Sequence, residues 1–166
     1  MIVRPEAPED HEAVRGVVTA AFGRPEEARL VELIRASGAY VPELALVAEV
    51  DGEVVGHILF SRVRVGDATA LALAPMAVAP DRQGRGVGTA LVRTGLDRAA
   101  GRPEAAVIVL GHPGYYPRFG FRPARAYGIQ PPWPDVPDDA FLILPLPGYT
   151  DGCRGVVVYP PPFDAV

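Results

Sequence analysis

A glycine-rich turn between an apolar strand and an amphipathic helix constrains this sequence more than any other feature. The stretch over 68–79 is almost wholly apolar, and Gln83-Gly84-Arg85-Gly86-Val87-Gly88 follows three residues later. Apolar residues then recur at helical spacing to about residue 100. A helix start carries unpaired N–H groups and partial positive charge, and glycines let an anion approach the backbone without meeting a Cβ atom. The turn therefore predicts a phosphate-binding site, with a ligand-free strand-to-helix connection as the alternative.

Spacing argues against two common phosphate-binding motifs. A P-loop requires Gly-Lys-Ser/Thr at the helix start, but no lysine occurs there and the nearby cation is Arg85. A dinucleotide fingerprint that starts at Gly84 would need glycine where Thr89 stands, and one that starts at Gly86 would need a small residue where Leu91 stands. A nucleotide-binding domain of another type stays open as the weakest alternative.

Composition predicts one compact domain over 1–166. The chain has 166 residues, of which 49% are hydrophobic, enough for a single core. The formal charge of −4 argues against a nucleic-acid partner. With only Cys153 there is neither an internal disulfide nor a cysteine zinc site, and the three histidines lack ligand spacing, so no metal is expected. No apolar run reaches the ~18 residues of a membrane helix and no signal-peptide pattern opens the chain, so we expect a cytoplasmic protein without a membrane partner.

Periodicity and turn residues predict an alternating order of strands and helices. Asp51-Gly52 indicates a two-residue hairpin, and Pro75, which cannot donate a ladder hydrogen bond, predicts a bulge or a parting of strands. The strands that flank the helix after the glycine turn should be parallel neighbours. The predicted elements are strands at 2–4, 44–50, 53–65, 68–79, 105–110, 140–146 and 156–159, helices at 14–22, from after Pro25 to Ser37-Gly38 and at 86–100, and one or two helical turns within 112–121.

The segment from Gln83 to Gly88 resembles the Gln/Arg-x-x-Gly-x-Gly/Ala motif of the GNAT superfamily of acyl-CoA-dependent N-acyltransferases. The order of elements around it is also similar to that family, and the closing segments resemble a bacterial branch whose members mostly lack known substrates. The resemblance implies an α/β (α+β) fold: a single GNAT-like domain with a mixed central sheet of about six to seven strands, flanked by helices. The fourth and fifth strands of that sheet are expected to splay apart.

The resemblance also implies acetyl-CoA as the acyl-donor co-substrate. Main-chain groups at the end of the fourth strand would hold the pantetheine arm, and amides of the glycine turn would hold the pyrophosphate, with Arg82 or Arg85 adding charge. The residues expected to bind the cofactor are Met76, Ala77, Val78, Arg82, Gln83, Gly84, Arg85, Gly86, Val87, Gly88 and Thr89.

Tyr116 is the expected general acid. The segment Tyr116-Pro117-Arg118-Phe119-Gly120-Phe121 resembles the family segment whose tyrosine protonates the departing thiolate, and a phenol with an ordinary pKa near ~10 stays protonated at neutral pH. An aromatic packing role is the alternative. The asparagine that commonly precedes this segment in the family is replaced by Gly111-His112-Pro113.

No general base is assigned from the sequence. The stretch over 68–79 contains no ionisable residue, although many relatives carry a glutamate or histidine on that strand. The candidates for the base are Glu43, Glu49, His57 and His112. A chain of water molecules that carries the proton to bulk solvent is the alternative to a side-chain base. His57 alternates with apolar neighbours, a pattern more typical of a core histidine.

The resulting hypothesis is an N-acetyltransferase that transfers an acetyl group from acetyl-CoA directly to an amine of an unidentified small molecule or protein. The missing base motivates the alternative of a non-catalytic acyl-CoA-binding or regulatory module. A homodimer is a candidate assembly, and the acceptor and acyl-chain preference are left open.

Overall fold

The computed structural model describes residues 1–165. Its helices and strands, in chain order, are β1 Ile2–Pro5, α1 His11–Phe22, α2 Glu26–Arg35, β2 Tyr40–Val50, β3 Glu53–Val65, β4 Ala68–Val78, α3 Val87–Ala99, β5 Ala106–Leu110, β6 Arg122–Pro123, β7 Ile129–Gln130, β8 Phe141–Pro145 and β9 Gly155–Val158. Short 3-10 helices occur at Pro8–Asp10, Pro80–Arg82, Tyr116–Phe119, Ala124–Tyr127 and Pro161–Ala165. None of the helices in these residues is long and apolar enough to cross a membrane.

The strands form a mixed sheet, which confirms the predicted fold class. Hydrogen-bonded neighbours follow the order β1-β2-β3-β4-β5-β8-β6, and β9 pairs with β3 and β7. The pair β4 and β5 is parallel, as the helical connection between them predicted. Within residues 1–165, seven strands have four or more residues, and β6 and β7 add two residues each.

By its contacts the chain divides into two compact units. The first comprises residues 1–61, 74–98 and the segment from 161, and the second comprises 62–73 and 99–160. In the first unit, the buried faces of α1 and α2 pack on β2 and β3, where Val18, Ile34, Val47 and Leu59 belong to one apolar cluster. The helical periodicity predicts one buried face on each helix, but Phe22, which that pattern places on the buried face of α1, is exposed.

The hairpin between β2 and β3 follows its sequence signal. Asp51 and Gly52 have φ angles of 51° and 77°, the left-handed conformations that a two-residue turn requires, and Val50 pairs with Glu53. At its other end, β2 begins at Tyr40, four residues before the predicted start at 44. The extension was not predicted because it contains Pro42, and proline is unusual inside a strand. The pairing of β2 with β3 is irregular there.

Two glycines bring α3 close to β3 within the first unit. A Cβ atom on Gly56 would lie 2.9 Å from side-chain carbons of Val87 and Leu91. A Cβ atom on Gly95 would lie 2.4 Å from the ring of Phe60. Because no real Cβ fits at those distances, the missing side chains allow the helix to pack on the strand at both ends. This packing fixes where the start of α3 lies.

In the second unit, β5 has a neighbour on each side. It pairs antiparallel with β8 from Ala106 to Leu110, and its parallel pairing with β4 covers Leu71 opposite Val107 and Ala72 opposite Ile108. Further along β4, Pro75 has no N–H to donate. A parallel ladder this short within the described residues is consistent with the predicted parting of the two strands.

Candidate active site

The glycine turn lies in the first unit and leads from β4 into α3. Gly84 and Gly86 have φ angles of 75° and 86°, in the left-handed region that favours glycine. The N–H of Ala90 donates to the carbonyl of Gly86 at 3.0 Å, the bond that opens the helix. Val87 and Gly88 lie in the first turn of the helix, where an N–H has no carbonyl four residues earlier within the helix to bond to.

The turn is open to solvent. Gly84 and Gly86 are exposed, and a Cβ atom at either position would meet nothing within 4 Å. Glycine is therefore required there by backbone conformation rather than by crowding from the protein. Exposed glycines before the positive end of a 13-residue helix form an arrangement that suits an anion.

Side chains flanking the turn have distinct surroundings. The Gln83 amide Nε2 donates to the carbonyl of Val78 at 3.1 Å, so this side chain ties the turn to the end of β4. Arg82 lies 3.9 Å from the carboxylate of Glu53, which is largely exposed, and such surface pairs contribute little. Arg85 is exposed, beside the two left-handed glycines.

The end of β4 leads directly into this turn. Ala77 is buried in the apolar core, whereas Met76 and Val78 are half-buried. The N–H of Ala79 donates to the carbonyl of Val55 at 2.8 Å, so the chain is held against β3 as it leaves the strand. The expected cofactor-binding residues thus form one continuous stretch of a single unit.

Tyr116 lies in the second unit, in a turn that begins where β5 ends. Its side chain is buried, and its ring packs on Gly111, where a Cβ atom would lie 2.4 Å from Cε2 of the ring. The rings of Tyr115 and Phe121 meet it edge-on, with centroids 5.1 Å and 5.7 Å away. Gly120 closes the turn with a φ angle of 98°, as the sequence predicted.

The environment of Tyr116 keeps its phenol protonated. Burial, with a smaller contribution from Tyr115, raises the pKa of Tyr116 to about 12, because the charged phenolate is poorly solvated there. At neutral pH the side chain is therefore an O–H donor. That state is the one a general acid needs.

A buried polar cluster in the first unit was missed by the sequence reasoning. The Glu6 carboxylate accepts hydrogen bonds from Nε and Nη2 of Arg35, both at 2.8 Å, from the Tyr40 hydroxyl at 2.8 Å and from Nε2 of His57 at 3.0 Å. The Glu6 side chain has no solvent exposure. Burial alone would raise the pKa of Glu6, but the bonds from Arg35, His57 and Tyr40 outweigh it and hold the pKa well below its ordinary 4.5.

His57 belongs to this cluster and is fully buried. Burial lowers the pKa of His57 below its ordinary 6.5, although Glu6 opposes the shift, so the ring is neutral at pH 7. The proton lies on Nε2, facing Glu6, and Nδ1 has no hydrogen-bond partner within residues 1–165. A ring without solvent access does not meet an acceptor amine directly, which favours the interpretation of His57 as a core histidine.

Two other candidates for the base also have local partners. Glu49 accepts a hydrogen bond from Nη2 of Arg4 at 3.1 Å. His112 is exposed, and its Nδ1 accepts the N–H of Gly114 at 3.1 Å. These contacts leave the general base unassigned.

Comparison with known proteins identifies the family. Residues 11–121 match the model of the Acetyltransferase (GNAT) family. Two similar proteins of Escherichia coli strain K12 are both described as uncharacterized N-acetyltransferases. YjhQ is 41% identical over 135 residues, covering 78% of this chain and 74% of its own length, and YhbS is 35% identical over 163 residues, covering 96% of both. The chain belongs to the GNAT acetyltransferase family.

Solved structures agree with this assignment. The crystal structure of YhbS from Escherichia coli in complex with CoA has a TM-score of 0.89 and 32% identity, and the match covers 98% of this chain and 91% of that one. A GNAT family acetyltransferase from Brucella melitensis in complex with acetyl-CoA has a TM-score of 0.81 and 35% identity, with 98% and 97% covered. The sequence-based identification of the superfamily is therefore confirmed.

Replacing Glu6 by glutamine should destabilise the protein in a pH-dependent way. At pH 7 the free energy of unfolding should fall by about 3–5 kcal/mol, because the largely buried Arg35 loses its counter-charge. The pKa of Glu6 is depressed in the folded state, so its stabilisation is present above about pH 4.5 and lost as the pH falls further. Urea unfolding should thus show a constant difference between about pH 8 and 6 that shrinks in acid.

The matched control is Glu49→Gln. Glu49 and its partner Arg4 are both partly exposed, so this variant should lose less than about 1 kcal/mol. Equal stability of wild type and Glu6→Gln at pH 7, or a difference that widens in acid, would contradict the assignment.

Proposed function

We propose that this protein is an N-acetyltransferase that moves an acetyl group from acetyl-CoA directly to an amine of a small molecule or a protein. The observation that carries the proposal is the open turn at the positive end of α3, where Gly84 and Gly86 are left-handed and exposed. Membership of the GNAT family and the CoA and acetyl-CoA complexes of two similar proteins support it.

The pyrophosphate of the cofactor would bind to the amides from Gly84 through Thr89. These N–H groups lie at a helix start, where the helix dipole adds a favourable field for an anion. Arg85 would supply a charge-assisted contact at the surface, and Gln83 would act by holding the turn to β4. Arg82 would contribute less, since Glu53 already lies beside it.

The pantetheine arm would lie along the end of β4. Main-chain groups of Met76, Ala77 and Val78 are the expected partners, in the manner of a peptide that adds to a strand edge. One acceptor position on the Val78 carbonyl is already used by Gln83, so Met76 and Ala77 are the principal contacts. No side chain of this stretch is charged, which suits an uncharged thioester arm.

The transfer needs attack by a neutral amine, cleavage of the carbon–sulfur bond and protonation of the thiolate. This chain offers a candidate side chain, Tyr116, for the protonation. A neutral amine nitrogen attacks the thioester carbonyl carbon, the carbon–sulfur bond breaks, and the thiolate that leaves takes the phenolic proton of Tyr116. The attacking nitrogen gives its proton to water, from which Tyr116 is reprotonated. Because 68–79 contains no ionisable side chain, the acceptor has to arrive as the free amine or lose its proton through water.

A non-catalytic acyl-CoA-binding module is the second candidate. The absence of an ionisable side chain over 68–79 and the full burial of His57 favour it. It predicts cofactor binding without release of free CoA across a broad panel of primary amines. Release of free CoA with any one amine would show that the protein is an enzyme and exclude the non-catalytic module.

Acetyl-CoA should raise the melting temperature of the protein, and Gly86→Glu should abolish that increase. At about 100 times the dissociation constant a ligand of the folded state adds about 2.7 kcal/mol, which corresponds to several degrees. Glutamate at position 86 places a side chain and a negative charge at the proposed pyrophosphate site. Differential scanning fluorimetry with and without millimolar acetyl-CoA measures the shift for each variant.

Gly23→Glu is the matched control, because it adds the same charge at another left-handed glycine, with a φ angle of 70° and open space around it. It should keep the full shift. No shift of the wild type at millimolar acetyl-CoA, or a shift with ATP alone, would contradict the proposed cofactor.

Tyr116→Phe should lower kcat by about 10²–10⁴-fold and leave the affinity for acetyl-CoA nearly unchanged, because only the proton donor is removed. Since the pKa of Tyr116 is about 12, ionisation of this phenol should not reduce the wild-type rate up to about pH 10. The measurement is CoA release followed by a thiol reagent over a series of pH values. Tyr115→Phe is the matched control, and equal kcat values for wild type and Tyr116→Phe would exclude Tyr116 as the acid.

A further inference from the structure

The turn that carries Tyr116 is held by two parts of His112. The backbone carbonyl of His112 accepts the N–H groups of Tyr115 at 3.0 Å and of Tyr116 at 3.3 Å. Its imidazole Nδ1 accepts the N–H of Gly114 at 3.1 Å. One exposed residue at the end of β5 thus bonds to three successive positions of the turn.

The contact to Gly114 defines the state of the imidazole. A backbone N–H can only donate, so Nδ1 must present its lone pair, and the N–H of the ring is then on Nε2. The ring then accepts an N–H two residues further along the chain, as the side-chain oxygen of an asparagine does in an Asx turn. A Cβ atom on Gly114 would lie 3.3 Å from Nδ1, so the close approach favours glycine there.

Arg118 holds the same turn from its other end. Its Nε donates to the carbonyl of Tyr115 at 2.9 Å, its Nη2 donates to the carbonyl of Gly114 at 3.3 Å, and its guanidinium lies 4.6 Å above the Tyr115 ring. Gly114 is therefore held at its N–H by His112 and at its carbonyl by Arg118. On the side of Tyr116, the ring packs on Gly111.

We propose that His112 is a positioning residue for Tyr116: its imidazole, with Nδ1 as the acceptor of the Gly114 N–H, locks the turn that aims the phenol. The catalytic part of this inference rests on the proposed function, in which Tyr116 is the general acid. Without the imidazole, the exposed Gly114 loses its side-chain anchor while the core beneath Tyr116 stays intact. The phenol would then be buried but less well aligned.

Substitution of His112 by asparagine or by glutamine tests which of the two ring nitrogens is needed. The side-chain oxygen of asparagine can take the place of Nδ1, whereas the longer glutamine places its polar group nearer to Nε2. If the contact to Gly114 is what matters, His112→Asn keeps the function and His112→Gln does not. Because His112 is exposed, none of these substitutions removes packing from the core.

The structural test is amide hydrogen exchange at Gly114 and Tyr116 in the full-length protein. Exchange at both amides should accelerate about tenfold in His112→Ala and His112→Gln and return to the wild-type rate in His112→Asn. Nitrogen shifts of the imidazole should show the proton on Nε2. Unchanged exchange in His112→Ala, or a proton on Nδ1, would overturn the proposal, and neither readout needs an acceptor.

The catalytic test is a double-mutant cycle between His112→Ala and Tyr116→Phe, followed by CoA release from acetyl-CoA with a panel of primary amines. His112→Ala alone should lower kcat about tenfold to a hundredfold at unchanged KM for acetyl-CoA, since small misplacements of a catalytic group carry losses of this size. In the Tyr116→Phe background the same change should have little further effect, because the group being aimed is absent.

The outcomes of this cycle are distinguishable. If the loss of kcat in the double variant equals the product of the losses in His112→Ala and Tyr116→Phe, the link between His112 and Tyr116 is overturned. Full turnover of Tyr116→Phe would instead remove the acid assignment of the proposed function, and the exchange rates would still decide whether His112 locks the turn. His11→Ala, a change at a histidine of α1, should leave both readouts at wild-type values.

Discussion

The close packing of α3 on β3 is the constraint on which the proposed cofactor site depends. Gly56 on the strand and Gly95 on the helix each leave out a side chain that would otherwise separate the two elements. With the helix held there, the Gln83 bond to Val78 brings the helix start next to the end of β4. The strand end proposed for the uncharged arm and the helix start proposed for the anion are thus consecutive parts of one segment.

Each unit contains a buried ionisable side chain whose protonation state is set by its surroundings, Glu6 in the first unit and Tyr116 in the second. In the first, the buried Glu6 carboxylate accepts four hydrogen bonds from three residues, which link α2, β2 and β3 to the segment after β1. In the second, Tyr116 is buried among aromatic rings, and burial keeps its proton on the oxygen. The Glu6 cluster stabilises the scaffold, whereas the tyrosine is suited to donate.

Features that depend on neighbouring residues were predicted from the sequence. The hairpin at Asp51-Gly52, the glycine turn between β4 and α3 and the closure at Gly120 follow from local conformational preferences. The parallel pairing of β4 with β5 followed from a helical connection of the right length. The family motif added the cofactor-binding and acid residues, whose roles stay predictions.

Features that depend on distant residues were not predictable in the same way. Glu6 meets its partners across 29, 34 and 51 positions of the chain, and no local pattern distinguishes it from the other acidic residues near the N-terminus. The two-residue strands β6 and β7 are too short to show a period. The bond from Gly114 to His112 depends on a rotamer and a tautomer, which a sequence does not specify.

The most direct test of the account is a comparison of CoA with pantetheine, which lacks the pyrophosphate, by backbone amide NMR. We predict that CoA shifts the amide resonances of residues 84–89 and that pantetheine leaves them in place, while both shift those of residues 76–78. If CoA left residues 84–89 unshifted, or if pantetheine moved them equally, the pyrophosphate would not bind at the start of α3, and the proposed cofactor site would be wrong.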